Sequence, residues 1–131
     1  AFNKKFPETN NAWLSVNQDN VAAYNADERC GFVFTTNGFK ALCALMKDTY
    51  SKKGWKLKHA DLPIVFFSGE DDPSMVDQNK FLFAVDFLKQ RGYRNVTYKL
   101  YKGKRHELMN EDGKEEFFAD ITAFADKAIT Q

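Results

Sequence analysis

A chain of 131 residues that is 44% hydrophobic and 28% charged can bury one core of ordinary size. Its net charge of +1, with acids and bases intermixed, offers no field that would gather nucleic acid or an anionic membrane. Cys30 and Cys43 lack the paired spacing of a disulfide framework or a metal site, so a reducing, cytoplasmic setting is expected. No run of eighteen apolar residues exists, so stable membrane insertion is not expected.

Residues 1–20, "AFNKKFPETNNAWLSVNQDN", are polar and without period, and read as a loop with Trp13 and Leu14 as an apolar anchor. "AFNKKF" is not a signal peptide, and with no initiator methionine the chain is expected to begin inside a longer sequence. "DNVAAYNADE" predicts a short helix capped by Asp19 or Asn20. "CGFVFTT" is a short apolar run of undetermined state. "TNGFKALCALMKDTYSK" predicts a longer helix, with Phe39, Leu42, Leu45 and Met46 at helical spacing and Thr36 or Asn37 as cap. "KKGWKLKHAD" reads as a polar connector in which His59 is an exposed histidine and not a ligand.

The second half is more regular. "LPIVFF" is a continuous apolar run with proline only at its start, the pattern of a strand covered on both faces by helices. It ends abruptly in "SGEDDP". "QNKFLFAVDFLKQRG" predicts a helix with Phe81, Ala84, Val85 and Leu88 in one stripe, Asp77 at its start and Gly92 as its stop. "NVTYKLY" alternates as a strand with one side less covered. Asp112 and Glu115 have capping-box spacing before a last helix whose Phe117, Ile121, Phe124, Ala125 and Ala128 share a face.

Strand, helix, strand, helix is an α/β order, and a helical crossover makes the two strands parallel. Both strands then end at one edge, where ligands bind in open α/β sheets. Neighbouring strands about 4.8 Å apart would bring the loops "SGEDDP" and "KGKRHE" side by side. An Asp of the first could then reach a ring nitrogen of His106, as an acid that orients a general-base histidine must.

These residues resemble the C-terminal part of the α/β-hydrolase superfamily, in particular lysophospholipase and monoacylglycerol lipase-like serine hydrolases. Gly69, Asp72, Pro73, Leu100, Tyr101, Gly103, Arg105, His106, Glu107, Asn110 and Glu111 match that pattern position by position. "WLS" and "AYNADERCGFVFT" resemble the cap region of bacterial members, with Val16-Asn17 where a charged pair is expected. The resemblance implies that residues 1–58 are a cap-like helical region with its connector, and 59–131 the C-terminal portion of the core. It makes Asp72 the triad acid, favoured over Asp71 by the Gly-x-x-Asp spacing, and His106 the base. Phe32, Phe34, Phe39 and Leu42 would help line an acyl pocket, although apolar residues at helical spacing are core by default. Arg105 and Glu107 would either hold the histidine loop or take part in catalysis. No metal or organic cofactor is implied.

The nucleophile is the departure. Ser15, Ser51, Ser68 and Ser74 do not sit in Gly-x-Ser-x-Gly. In this superfamily the nucleophile precedes acid and base, so the serine is expected upstream of residue 1, in a parent of about 250 to 320 residues. The implied activity is hydrolysis of small lipid-like esters by that parent, the missing N-terminal half being this chain's partner and the chain alone inactive. An open sheet edge predicts dimerisation or recruitment of a partner strand. Peptidase, thioesterase or dehalogenase chemistry, or a non-catalytic binding module, are the alternatives.

Overall fold

The computed structural model describes residues 2–51 and 53–130. Two six-residue strands, β1 (Ile64–Gly69) and β2 (Val96–Tyr101), pair in parallel with Ile64 opposite Val96 and Gly69 opposite Tyr101. Four helices accompany them: α1 (Gln18–Ala26), α2 (Thr36–Thr49), α3 (Gln78–Gln90) and α4 (Lys114–Ile129). The fold is therefore mixed α/β, with parallel strands alternating with helices, as a portion of an α/β-hydrolase sheet would be.

The core forms where α3 crosses the sheet. Phe81 and Val85, four residues apart on one face of α3, are buried with Val96, and Ile64, Phe66, Leu88 and Leu100 pack against them. Phe66 meets Phe81 edge-on at 6.2 Å. The next residue, Phe67, points to the opposite face and meets Phe117 of α4 at 5.5 Å. One helix thus covers each face, although Ile64 to Phe67 stay only half-buried. On β2 the alternation places a buried residue on each face: Val96 is buried beside α3, and Tyr101 is buried against Phe67 and Phe117. Lys99 and the Tyr101 hydroxyl both donate to Asp120 of α4, at 2.5 and 2.6 Å.

Asp77 caps α3 by accepting from the Lys80 amide at 2.8 Å, and Gly92, at φ 101°, follows its end. Three expected caps are corrected. Asn17, not Asp19 or Asn20, caps α1, its side chain accepting from the Asn20 amide. Thr35, not Thr36 or Asn37, caps α2 through the Gly38 amide. Asp112 does not cap α4, which starts behind Gly113 in the left-handed region at φ 72°. The helix starts at Lys114, one residue too late for Asp112 to stand at the cap position, and the Asp112 carboxylate accepts from the Asn17 side-chain amide at 2.7 Å. The run "CGFVF" carries no regular structure, and Lys52, at the end of the expected α2 segment, lies outside the described residues.

Residues 2–17 do not hang free. Short 3-10 turns at Phe2–Lys4 and Ala12–Leu14 fold the segment back, and Ala12, Leu14 and Ser15 are buried. Several of its hydrogen-bond partners lie ninety and more residues away, between β2 and α4.

Candidate active site

The parallel register does the positioning. Because Gly69 and Tyr101 are opposite, the chain leaves the sheet at the same level on both strands. The two loops then bond to each other: the Glu70 amide to the Tyr101 carbonyl and the Asp71 amide to the Lys104 carbonyl, each at 2.9 Å. Asp72 follows as the N-cap of a 3-10 turn, Pro73–Met75, and its Oδ1 accepts from the Ser74 amide at 2.8 Å. That bond fixes the carboxylate and leaves Oδ2 for His106 Nδ1, 3.0 Å away. The Asp71 and Glu70 side chains are exposed and do not bond His106.

The Asp72 side chain is 7% exposed and that of His106 43%. Burial pushes the Asp72 carboxyl up, but hydrogen bonds from His106 and from the Ser74 amide and hydroxyl outweigh it, leaving the group below its ordinary value. The bond from Asp72 raises His106 above its ordinary value against the opposing effect of burial, with the charges of Asp72 and Glu107 adding to it. Nε2 of His106 makes no hydrogen bond among the described residues, so the basic nitrogen of an Asp-oriented imidazole is available to a reacting group.

Ser74 is the one described serine that hydrogen-bonds the imidazole, its Oγ 3.3 Å from Nδ1. This is the nitrogen that Asp72 holds. A triad base takes the nucleophile's proton on the opposite nitrogen, so Ser74 stands on the wrong side to be the nucleophile. Ser15 is buried against Glu111 and Ser68 donates to the Gly69 carbonyl.

Beside the pair runs an open groove of about 670 Å³, shared by Asp72, Ser74 and His106 and walled by Met46, Tyr50, Met75, Val76, Phe81 and Phe83. The wall is mostly apolar, with Lys80 and Ser68 also on it, the composition of a site for an apolar ligand with a few placed polar groups. Phe32, Phe34, Phe39 and Leu42 do not line it. The phenylalanines meet in a row, Phe32 with Phe34 and Phe34 with Phe39, each at 5.6 Å and tilted or edge-on, and stay 46 to 67% exposed. The helix that carries Phe39 and Leu42 enters the groove by Met46, with Tyr50 just beyond its end.

Val76 is held at φ 68°, ψ −61°, a strained γ-turn region for a β-branched residue, with its side chain 74% exposed. Such conformations cost about 1–3 kcal/mol. Val76→Gly should therefore raise stability by about 1 kcal/mol after glycine's own entropy of about 0.5–1 kcal/mol is counted. A urea midpoint that falls in the variant would refute the strain.

Residues that the sequence reading left undecided surround the imidazole. Trp13, read only as an anchor, lies 5.2 Å from the His106 ring, centroid to centroid. The Arg105 guanidinium donates to the Ala12 carbonyl at 2.6 Å and to Glu8 at 2.7 Å, and the Glu107 amide donates to the Leu14 carbonyl at 2.8 Å. Both flanks of His106 therefore hold the loop in place. The "WLS" and "NE" positions of the family pattern were the signals at hand.

Parallel strands alternating with helices are the architecture of part of an α/β-hydrolase fold. The chain belongs to the serine aminopeptidase S33 family, whose sequence pattern matches residues 3–113. That membership makes it part of a serine hydrolase family. No curated protein matches the chain. No described helix is long and apolar enough to cross a membrane.

Proposed function

We propose that these 131 residues supply the acid and base of a serine hydrolase acting on carboxylic esters with an apolar acyl group, of the monoacylglycerol or lysophospholipid kind. The observation that carries this reading is the Asp72–His106 contact at 3.0 Å beside an apolar groove. Asp72 orients the imidazole and stabilises the imidazolium, and Nε2 accepts the nucleophile's proton and returns it to the leaving alcohol. The nucleophile and the oxyanion donors come from a segment beyond these residues, because no described serine hydrogen-bonds Nε2 or sits in Gly-x-Ser-x-Gly. The chain alone is then inactive, its partner is the remainder of the hydrolase, and the unpaired edges of the two-stranded sheet are where further strands of that remainder pair.

Peptide hydrolysis is the second reading, favoured by the family's description as serine aminopeptidases. An apolar groove suits an acyl chain better than the charged amino terminus of a peptide.

The test is fluorophosphonate labelling of the full-length hydrolase with and without His106→Ala, followed by paired medium-chain ester and aminoacyl-amide substrates. Labelling should be lost in the variant, and esters should be turned over faster than amides. A parent that is never labelled would remove the serine mechanism, and a preference for amides would replace esterase by peptidase.

A further inference from the structure

We propose that Trp13 is a positioning residue for His106, pressed against the imidazole by a strap, residues 12–16, that the two flanks of the histidine clamp. The inference rests on the reading of His106 as the base.

The bonding brackets Trp13 on both sides. The carbonyls of Ala12 and Leu14 accept from the Arg105 side chain and the Glu107 amide, at 2.6 and 2.8 Å. The Val16 amide and the Ser15 hydroxyl each donate to Glu111 at 3.0 Å. Glu111 is 3% exposed and accepts a further bond, 2.8 Å, from the Arg105 amide, the residue before His106. A buried carboxylate is tolerable only while its donors are in place. Two of its three donor residues belong to the strap and one to the histidine loop, so neither can move without stripping donors from the buried charge. The strap and the loop are thereby one rigid unit.

The need for such a unit follows from the imidazole's own freedom. Asp72 and Ser74 both meet it at Nδ1, and contacts at one atom leave the ring able to swing about that atom. A second contact, on another part of the ring, fixes its plane and so the direction of Nε2. Trp13 supplies this contact at 5.2 Å, with the planes 43° apart, and Phe2 backs the indole at 5.1 Å.

Only two histidines occur in the chain, and His59 sits on an exposed connector, so it serves as an internal reference. Nitrogen-15 histidine labelling of the 131-residue chain, read by long-range proton–nitrogen correlation above the imidazole's pKa, reports which ring nitrogen carries the proton. In the native chain His106 should be held in the Nδ1–H form. Trp13→Ala should shift it toward the tautomer mixture of a free imidazole while His59 stays put, and Trp13→Phe should restore most of the native signal. Glu111→Gln should move His106 in the same direction with Trp13 intact, which carries the test should Trp13→Ala fail to fold. Native nitrogen shifts in Trp13→Ala, or in Glu111→Gln where the first variant does not fold, would overturn the strap and leave the triad reading standing. A wild-type His106 with its proton on Nε2 would overturn the triad reading itself.

Discussion

Alanine at position 69 is expected to cost about 3–5 kcal/mol of stability and to separate Asp72 from His106. A methyl group there would lie 2.2 Å from the Arg105 carbonyl oxygen and 2.3 Å from that of Lys104. Both are main-chain atoms and cannot rotate aside, so the end of β1 and the histidine loop must move apart by about 1 Å to reach ordinary contact. Overpacking of this kind costs about 1–3 kcal/mol, and the two main-chain bonds that tie the loops, Glu70 to Tyr101 and Asp71 to Lys104, add about 1 kcal/mol each when lost. Against the 5–15 kcal/mol typical of whole domains this is a large share. Urea denaturation of wild type and Gly69→Ala measures it directly. A difference under about 1 kcal/mol would mean that the loops close by some route other than this contact.

Gly69 also explains why part of the site could be read from sequence and part could not. The apolar run before it, the Gly-x-x-Asp spacing and the Arg-His-Glu after β2 are local patterns, and local patterns locate strands, turns and loop ends. Asp77 capped α3 as read because cap and helix are adjacent in the chain. Asp112 had the right spacing for a cap, but the helix starts one residue later, behind Gly113, and its carboxylate bonds Asn17, 95 residues away. The same distance hid the contact of Trp13 with His106 and the bonds of Glu111 to Ser15 and Val16. Contacts between remote segments impose no period on either one. The amphipathic stripe of α2 was visible, but which of its residues faces the groove depends on how the helix is seated, and Met46 is there where Phe39 and Leu42 are not.

Exchanging Asp72 for asparagine should lower kcat of the full-length hydrolase by a factor on the order of 10⁴, the loss expected when a triad histidine is left in the wrong tautomer. The bonding at Asp72 dictates that outcome. Its Oδ1 serves the Ser74 amide, which requires an acceptor, and its Oδ2 serves His106. Asparagine has one acceptor oxygen, and the cap of the 3-10 turn claims it. The amide NH₂ then faces Nδ1, which must become the acceptor, so the proton moves to Nε2 and the base is blocked. His106→Ala removes the base altogether, so the asparagine variant separates loss of orientation from loss of the ring. The pH dependence carries the same signature. His106 is raised above 6.5, so its share of the pair's stability is full below that pH and is lost as pH rises through the higher folded value. Asp72 is lowered below 3.8, so its share is full above that pH and is lost as pH falls through the lower folded value. The stability gap between wild type and Asp72→Asn should therefore be widest between pH 3.8 and 6.5 and should narrow on the alkaline side. The acid limb of kcat/KM should move to lower pH in the variant, because His106 loses the carboxylate that raised it. A variant with native kcat and an unmoved acid limb would show that Asp72 does not orient the base, and the acid would have to be sought among Asp71 and Glu70.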